Sequence, residues 1–478
     1  MATSSREEPG AIERLAAWLA AARPEDIAQR DSERAKLVLL DTLGCGLAAR
    51  DDESARAVLA TLDDFGERPQ CTVLGHSRKM SAPSAVLANG TLIRVLDLND
   101  YVAGAHPQSG ARGGHPSDNI AVALAAAELA QGRGRDLLAA IVLGYEIYGR
   151  GKALMDAQSI WDGVSISGLV APAIAGWLLR FSAGQLAHAI ALGAARAPTP
   201  VAVREGDISA AKGIANALVA QSGMQAALLA AQGVTGPLDL FEAERGLKAV
   251  FTHGPAGDIL AAPLPAQSFI MRTTIKAYPC FAGGQSAVAA GIALHRLLDG
   301  DIDRLASIKV ALADLPIVHR QMADPGRVAP RSREAADHSL HFLIAVSLMD
   351  GRFGLRQFDY ERWSDAKVRA LMARLEMTTD AALSRRAGEA YPCALHAVGR
   401  DGQPYDVEIL APPGFSPDGL DATTVLDKFT AITAGHLAPA AQRLVIDTVM
   451  ALEAAPSCDG LMQAVAPAPN PPIRPQRA

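Results

Sequence analysis

Apolar residues recur at spacings of three and four through most of the first 260 residues of the chain. Spacing of this kind gives each helix one apolar face for packing, and the stretches between these segments are short enough to be loops. The pattern therefore predicts a large domain of stacked helices. The clearest segments lie at 11–22, 32–49, 84–98, 118–132, 135–151, 168–181, 183–197 and 212–233.

The pattern changes near Pro263. The segment 268–280 (SFIMRTTIKAYPC) alternates and is rich in β-branched residues, and 306–315 is typical of a strand. Two alternating runs on either side of 400–403 (RDGQ) predict a hairpin. Helical spacing is interleaved with these strands at 284–298, 338–350 and 364–377. This second region is therefore predicted to be a smaller α+β domain.

We expect a mainly α protein with a smaller α+β domain. Hydrophobic residues make up 49% of the chain but aromatic residues only 5%, so the core must be built from Ala, Leu, Val and Ile, which suits closely packed helices. From Asp421 onward the helical pattern returns. The predicted boundaries are 1–265 together with 415–465 for the large all-helical domain, 266–414 for the α+β domain and 466–478 for a disordered tail.

Composition excludes several classes of function. The formal net charge is −6 at pH 7 and no run of Lys or Arg occurs, so the chain lacks the basic field that nucleic acids require. No stretch reaches the roughly 18 uncharged apolar residues of a membrane span. Five cysteines without CxxC spacing argue against a disulfide framework and a structural zinc site. We expect a cytoplasmic protein that binds neither nucleic acid nor membrane.

The segment 96–119, LDLNDYVAGAHPQSGARGGHPSDN, gathers ionisable residues around a glycine-rich insert. Ser117 is predicted to be a helix N-cap, which places His115 just before a helix N-terminus, where a carboxylate ligand would be favoured. Asp97 and Asp100 would share one face if the preceding helix continues that far. With His115 they would supply the groups for a proton transfer. The alternative is an Asp-capped surface loop.

Three basic residues stand in stretches of sequence that are otherwise apolar or predicted to form turns. Lys212 opens the long helix predicted at 212–233, Lys276 stands at a predicted strand end before a Pro turn, and Arg204 lies in PVAVREGD. A lysine so placed either extends its ammonium group to water or directs it at a ligand anion. Taken singly, each lysine fits the first interpretation better.

Other chemistry has weaker support. His338 and His341 are one helical turn apart, which is metal-ligand spacing, but no third ligand is evident, so we predict no metal site and favour a packing or capping role. Nothing near Cys280 in sequence would lower its pKa, which indicates a buried structural thiol. GxGxxG, P-loop, GxSxG and HExxH motifs do not occur in a fitting context.

Seven segments in order resemble the MmgE/PrpD family, which includes 2-methylcitrate dehydratase, cis-aconitate decarboxylase and iminodisuccinate epimerase. The resemblance implies a large helical domain and an α+β lid with the active site between them, no cofactor, and a homodimer formed by the helical domain. The segments are LVLLDTLGCGLAA, ANGTLIRVLDLND, GGHPSDNIAVALAAAE, LLAAIVLGYEI, AAKGIANALVAQSGMQAALLAAQGVTGP, IKAYPCFAGGQSA and DHSLHFLIAVSLMDG.

The resemblance also implies roles for single residues. The catalytic positions of the family fall on Asp97, His115, Lys212 and Lys276. Our hypothesis is that the two lysines bind substrate carboxylates, while His115 with Asp97 moves the proton and assists departure of hydroxide. The substrate would be a small polycarboxylate, and substrate-binding roles are assigned to Asp100, Tyr101, Ser117, Arg204 and Tyr278.

Departures from the family pattern bear on the reaction. Tyr101 stands where the family often has Thr, the insert from Ala103 to Gly114, which contains His106, is longer than in the familiar dehydratases, and Phe281 stands where the decarboxylases carry a His. The leading hypothesis is a hydro-lyase acting on a citrate-like acid such as 2-methylcitrate. The alternatives are an epimerase or isomerase, a decarboxylase, and a non-catalytic protein that keeps the fold for assembly or ligand sensing.

Overall fold

The computed structural model describes residues 8–66, 68–102, 113–155, 159–247, 256–387, 390–415 and 420–466. The insert predicted from Ala103 to Gly114 lies outside these ranges except for its last two residues, and so does His106. The predicted tail at 466–478 lies outside them except for Ala466.

Helices make up the first part of the structure, as the periodicity predicts. One large hydrophobic cluster runs through them, and its members are mostly Ala, Leu, Val and Ile. The helices are α1 Ala11–Ala21, α2 Gln29–Ala48, α3 Glu53–Asp63, α4 Ala82–Arg94, α5 Ile120–Leu129, α6 Gly134–Leu154, α7 Ser167–Leu178, α8 Ala183–Ala195, α9 Ala211–Ala231 and α10 Ala256–Leu260, with a two-residue hairpin of β1 Cys71–Thr72 and β2 Lys79–Met80.

Helix α9 lies at the centre of this body and packs against α4, α7 and α8. Within the described ranges it is also the helix that is long and apolar enough to cross a membrane, by length and composition only, and 56% of that window is buried inside the protein. The sequence prediction that no stretch would be long and apolar enough for a membrane span is therefore wrong for α9 by this measure. It packs on three neighbours, and part of its surface, including Leu218 and Leu229, remains exposed.

The second part is an α+β body with its own hydrophobic cluster, formed by residues between 280 and 407. Its sheet has four strands, which are β3 Leu305–Ala313, β4 Leu375–Asp380, β5 Cys393–Gly399 and β6 Pro404–Ile409. They lie in the order β4-β3-β5-β6, with β3 parallel to β4 and antiparallel to β5, and β5 and β6 form the predicted hairpin. The helices of this body are α11 Gln285–Leu297, α12 Pro316–Ala323, α13 Pro325–Val328, α14 Arg333–Ala336, α15 Leu340–Asp350, α16 Ala366–Met372 and α17 Ala381–Ala387.

The chain returns to the helical body after β6. Helices α18 Ala422–Thr433, α19 Pro439–Met450 and α20 Asp459–Val465 follow, and α18 and α19 pack on α2. Their apolar residues belong to the large cluster. Hereafter the helical body means α1–α10 with α18–α20, and the α+β body means α11–α17 with β3–β6.

The strand predicted at 268–280 is wrong. The segment holds a 3₁₀ turn at Phe269–Arg272 and a single bridge, in which Tyr101 and Thr274 exchange backbone hydrogen bonds of 2.8 Å. This segment joins the two bodies and packs beside α2 and α6. A strand needs a neighbouring strand along its length, and helices cannot supply one; the alternating apolar residues are buried against them instead.

Candidate active site

The turn after α4 directs two aspartates in different directions. Helix α4 ends at Arg94, and Asp97 has a φ of 49°, in the left-handed region that short polar side chains tolerate best after glycine. The expectation that Asp97 and Asp100 share a helix face is therefore wrong. No glycine or proline in LDLND marks this helix end, so the sequence pattern carries no signal for it.

Asp97 is the centre of a buried cluster of charges. Its Oδ1 accepts hydrogen bonds from Arg94 at 2.5 Å and from Lys276 at 2.6 Å, and its Oδ2 accepts one from Lys212 at 3.0 Å. Burial alone would raise the pKa of Asp97, but Arg94, Lys212 and Lys276 hold it well below its usual range. Asp97 is therefore a fixed carboxylate anion.

The two lysines reach this cluster from distant parts of the chain. Lys212 is the second residue of α9, as predicted, and Lys276 lies in the segment that joins the two bodies. Both side chains are 2–3% exposed, so the interpretation that they extend to water is wrong. Burial, together with Arg94 and Lys212, lowers the pKa of Lys276, although Asp97 opposes the shift.

Asp337 and His338 complete the cluster. The Lys212 Nζ lies 3.1 and 3.2 Å from the carboxylate oxygens of Asp337 and 3.3 Å from Nδ1 of His338, which also contacts Asp337. Burial and Lys212 lower the pKa of His338 to about 4, so its imidazole is neutral at pH 7. Our sequence reasoning missed Asp337, although the DHSLHF segment that contains both residues was one of the seven.

His338 and His341, which have metal-ligand spacing in the sequence, do not lie on one helix. Helix α15 begins at Leu340, so His338 precedes the helix and His341 lies in its first turn. Ligand atoms of Asp97, Asp337 and His338 do lie close enough together to hold a metal ion. The Lys212 ammonium group is within 3.3 Å of all three residues, so a cation of the protein already occupies this position.

His115 is held in one orientation by the turn that carries the aspartates. Its Nδ1 lies 2.5 Å from the backbone carbonyl oxygen of Asp100, which can only accept, so the Nδ1–H donates and Nε2 remains for a ligand. The ring of Tyr101 makes an edge contact at 5.9 Å between centroids. Burial, Arg94 and Lys276 hold the pKa of His115 well below its ordinary value, so the imidazole is neutral.

Ser117 supports Asp100 instead of capping a helix. It lies in a 3₁₀ turn at Pro116–Asn119 and donates to Asp100 at 2.5 Å, while Tyr145 donates to the other carboxylate oxygen at 2.7 Å. The N-cap prediction is wrong because α5 begins only at Ile120, behind this turn. Burial raises the pKa of Asp100 to about 7, although the hydrogen bonds from Ser117 and Tyr145 oppose the shift.

A cavity of about 440 Å³ lies between the helical body and the α+β body. Of the residues assigned to catalysis or binding from the sequence, four line it: Asp97, Tyr101, His115 and Arg204. Five do not form its wall, namely Asp100, Ser117, Lys212, Lys276 and Tyr278. Side chains from both bodies that the sequence did not suggest also line it, among them Arg94, Asp118, Gln321, Arg327 and Tyr391.

The predicted residues that do not line the cavity support those that do, or belong to the protein core. Lys212 and Lys276 hold Asp97, and Asp100 and Ser117 hold the turn that carries His115. Tyr278 is half-buried against the α+β core, and its backbone N–H donates to Gln285. The structure thus brings the four predicted catalytic residues together but separates the two lysines from the cavity by the carboxylate that they share.

Arg204 is the predicted cation that does reach the cavity. Its Nε donates to Asp162 at 2.7 Å, and its backbone carbonyl accepts a hydrogen bond of 2.6 Å from Arg327 of the α+β body. Burial alone would raise the pKa of Asp162, but Arg204 keeps it below its ordinary value. Arg204 therefore belongs to an ion pair on the cavity wall and links the two bodies.

Two glycines let tyrosines close over the His115 turn. A Cβ atom at Gly113 would overlap the Tyr101 ring, and one at Gly114 would overlap the Tyr148 hydroxyl. The Tyr101 hydroxyl lies 3.2 Å from that of Tyr391, which comes from the α+β body. The GG pair of the GGHPSDN segment is thus needed for close approach, not for an unusual backbone angle.

Cys280 is buried and unpaired, and burial raises its pKa well above the ordinary value of a thiol. The prediction of a buried thiol is confirmed. Cys45, Cys71, Cys393 and Cys458 are likewise buried and free.

Comparisons with known proteins agree with this architecture. The family model of the MmgE/PrpD N-terminal domain matches residues 13–259, and that of the MmgE/PrpD C-terminal domain matches residues 278–454. The chain is 26% identical to the cis-aconitate decarboxylase-like protein oryM of Aspergillus oryzae, over 87% of this chain and 89% of that protein. It is 26% identical to the 2-methylcitrate dehydratase of Cupriavidus necator, over 74% of each chain, and 23% identical to the cis-aconitate decarboxylase of Mus musculus, over 72% of this chain and 70% of the mouse protein.

Proposed function

The chain belongs to the MmgE/PrpD family, and on that basis we propose that it is a cofactor-independent hydro-lyase that dehydrates a citrate-like polycarboxylate such as 2-methylcitrate. Relatives named as lyases, one of them a 2-methylcitrate dehydratase, support the reaction class. The observation that carries the proposal is the pairing, on one cavity wall, of a neutral His115 with a locally cationic cluster around Asp97.

His115 is the proposed general base. A dehydration must first remove a proton from a carbon next to a carboxylate, and a neutral imidazole with one nitrogen free can accept it. The Asp100 carbonyl fixes the tautomer, so the unprotonated Nε2 is the atom that receives the proton. Such a base contributes a rate factor of about 10² to 10⁴.

The Asp97 cluster is the proposed source of positive charge. Arg94, Lys212 and Lys276 carry three positive charges against the two negative charges of Asp97 and Asp337. One positive charge therefore remains while Asp118, which lies 3.6 Å from Arg94, is protonated. Fixed charge near the reacting carbon stabilises the negative charge that develops as the proton leaves. The lysines therefore act through Asp97, and Arg94 and Asp97 are the members that meet the substrate.

Asp118 is the proposed general acid. It lines the cavity, accepts a hydrogen bond of 2.8 Å from Asn99, and has a pKa that burial raises to about 6. A carboxyl group with a raised pKa can protonate a departing hydroxide, as the second half of a dehydration requires.

An ultraviolet assay tests the proposal, since dehydration creates a conjugated, absorbing alkene. Citrate, 2-methylcitrate and iminodisuccinate would be offered in turn to the wild type, to His115→Ala, and to His319→Ala as a matched exposed histidine. Alkene formation by the wild type and the His319 variant, with loss in His115→Ala, supports a hydro-lyase. Absence of alkene with any hydroxy acid refutes it, and uptake of solvent deuterium without alkene would indicate an epimerase.

Decarboxylation is the second candidate, because two of the relatives above are named for cis-aconitate decarboxylase. Phe281 on the cavity wall counts against it, since the resemblance implies a histidine there in decarboxylases. Release of carbon dioxide from cis-aconitate would decide between the two reactions.

We further propose that the protein is a cytoplasmic homodimer built on the helical body. The free buried cysteines suit a reducing compartment. Leu218 and Leu229, on α9, are 48% and 43% exposed, which suits a buried contact in a dimer. Light scattering that gives the monomer mass at micromolar concentration would contradict the dimer.

A further inference from the structure

Arg320 on α12 is the arginine of the cavity wall that the rest of the protein holds most loosely. The other three arginines that line the cavity donate hydrogen bonds of 2.5 to 2.7 Å to carboxylate or carbonyl oxygens, and they are Arg94, Arg204 and Arg327. The Nη1 of Arg320 lies 3.9 Å from Oε1 of Glu205, which is too far for a hydrogen bond. Within the described ranges, its guanidinium donors are therefore available for a ligand.

The guanidinium group of Arg320 lies where the cavity opens to solvent between the two bodies. Arg320 belongs to the α+β body and Glu205 to the helical body, and both residues line the cavity. Both side chains are 51% exposed, whereas those of Arg94 and Arg327 are 1% and 9% exposed. Since Nη1 faces a carboxylate of the opposite body, the charged end of the Arg320 side chain stands at this opening. The hydrogen bond from Arg327 to the carbonyl of Arg204, the residue before Glu205, fixes the two sides of the opening relative to each other.

We propose that Arg320 is a specificity-determining residue that exchanges Glu205 for the substrate carboxylate farthest from the reacting carbons. This inference rests on the proposed function, which makes the substrate a polycarboxylate and places its reacting carbons beside His115 and Asp97. Asp97 is only 1% exposed, whereas Arg320 stands at the opening of the same cavity. A carboxylate at the far end of the acid is therefore the one that Arg320 meets.

The exchange is favourable because the two partners of Arg320 differ in their surroundings. Glu205 is half-exposed, and an exposed ion pair contributes little because water and salt screen it. A carboxylate of a bound acid is enclosed between the two bodies, where screening is weaker, and a guanidinium group can donate two parallel hydrogen bonds to it. The preferred class is therefore an acid with a distal carboxylate in addition to those at the reacting carbons, such as a tricarboxylate.

The test compares tricarballylate with methylsuccinate, which is tricarballylate with one terminal carboxylate replaced by hydrogen. Neither acid has a hydroxyl group, so neither can be dehydrated, and calorimetry can measure their affinities for the full-length wild type. We expect tricarballylate to bind about tenfold to a hundredfold more tightly than methylsuccinate. Arg320→Gln should weaken the binding of tricarballylate by the same factor and leave that of methylsuccinate unchanged.

Glu205→Gln separates the proposed exchange from a role of the ion pair in joining the two bodies. Removing the competing carboxylate should tighten the binding of tricarballylate by about twofold to fivefold in the wild type, and should have no effect on top of Arg320→Gln. If the pair only joined the two bodies, each single change would alter the affinities for both acids alike, which would contradict the exchange.

Arg386→Gln is the matched control, because Arg386 is 55% exposed, pairs with Glu408 in the same body and lies outside the described lining of the cavity. It should leave both affinities unchanged, although it removes the same charge. The inference is overturned if the wild type binds tricarballylate no more tightly than methylsuccinate, if Arg320→Gln keeps the preference, or if Arg386→Gln abolishes it as well. The affinities belong to acids that cannot react, so their outcome is independent of the alkene assay that decides the reaction.

Discussion

The Lys276 ammonium group donates to Asp97 twice, at 2.6 Å to the carboxylate oxygen Oδ1 and at 3.0 Å to the backbone carbonyl. This double contact holds both the side chain and the unusual left-handed backbone of Asp97. Lys212 takes the other carboxylate oxygen, so the end of α4, the start of α9 and the segment between the two bodies meet at one residue. Asp97 is therefore a structural junction as well as a member of the site.

Replacing Asp97 with Asn should cost both stability and activity. The change leaves Arg94, Lys212 and Lys276 buried without their shared anion, and breaking a buried ion pair from one side costs about 3–5 kcal/mol. Urea denaturation measures the loss. Because the pKa of Asp97 is lowered, its stabilisation is complete above the ordinary carboxyl pKa and is lost only as the pH falls through the lowered value. Asp63→Asn is the control, since the ion pair of Asp63 with Arg78 is largely exposed and is expected to contribute at most about 1 kcal/mol to stability. If both variants lost the same unfolding free energy, Asp97 would not be the anion that holds the buried cluster together.

The proposed acid and base predict an activity maximum at weakly acidic pH. His115 acts when it is neutral, and its lowered pKa puts the acidic limb of the kcat/KM profile below pH 6.5. Asp118 acts when it is protonated, so activity should fall as the pH rises through about 6. Asp118→Asn should remove this basic limb and lower kcat by about 10² to 10⁴. A profile that stays flat up to pH 8 in the wild type would exclude Asp118 as the acid.

Phe281→His should change the reaction toward decarboxylation. The Phe281 ring stacks on His338 with centroids 5.3 Å apart, and both residues line the cavity. An imidazole there would add a proton donor at the position where the resemblance implies one in decarboxylases. Carbon dioxide release from cis-aconitate should rise at least about tenfold, while alkene formation from hydroxy acids declines. Phe281→Leu removes the ring without adding a donor; if it released carbon dioxide as fast as Phe281→His, the proposed role of the imidazole would be refuted.

Local pattern was sufficient for most of the fold. Helices α2, α6 and α9 and the β5–β6 hairpin follow from spacings within a few residues, and the structure confirms them. The segment 268–280 was mistaken for a strand because alternation records which side chains are buried, not what covers them. Here helices cover them, and that information lies elsewhere in the chain.

The candidate site depended on contacts that no local pattern records. Lys212 is 115 residues from Asp97 and 125 from Asp337, so the sequence around Lys212 does not reveal these buried partners. That local sequence alone favours a lysine that extends to water. Family resemblance assigned Lys212 to the site without showing that Asp97 stands between it and the cavity. For His338 the sequence offers only its spacing from His341, whereas in the structure the residue contacts Lys212 and Asp337.

Lys428 is predicted to position the active-site turn from behind. Its ammonium group, on α18, lies 2.6 Å from Asp41 of α2 and donates at 2.7 Å to the backbone carbonyl of Leu98, next to Asp97. Asp41 is fully buried, and burial raises its pKa although Lys428 opposes the shift. Lys428→Met should therefore destabilise the protein by about 3–5 kcal/mol, because it leaves a buried carboxyl group without its cation.

A second substitution separates stability from positioning at this site. Adding Asp41→Leu to Lys428→Met removes the orphaned carboxyl group and should restore most of the stability, since buried ion pairs are often replaceable by apolar residues. The Leu98 carbonyl still lacks its donor, so kcat should remain lowered by about tenfold, the cost of one misplaced hydrogen bond near the reacting groups. Urea denaturation and the alkene assay on both variants make the measurement. Recovery of both kcat and stability would show that Lys428 only neutralises Asp41. Recovery of stability without kcat would show that the ammonium group also holds the turn on which Asp97 and His115 depend.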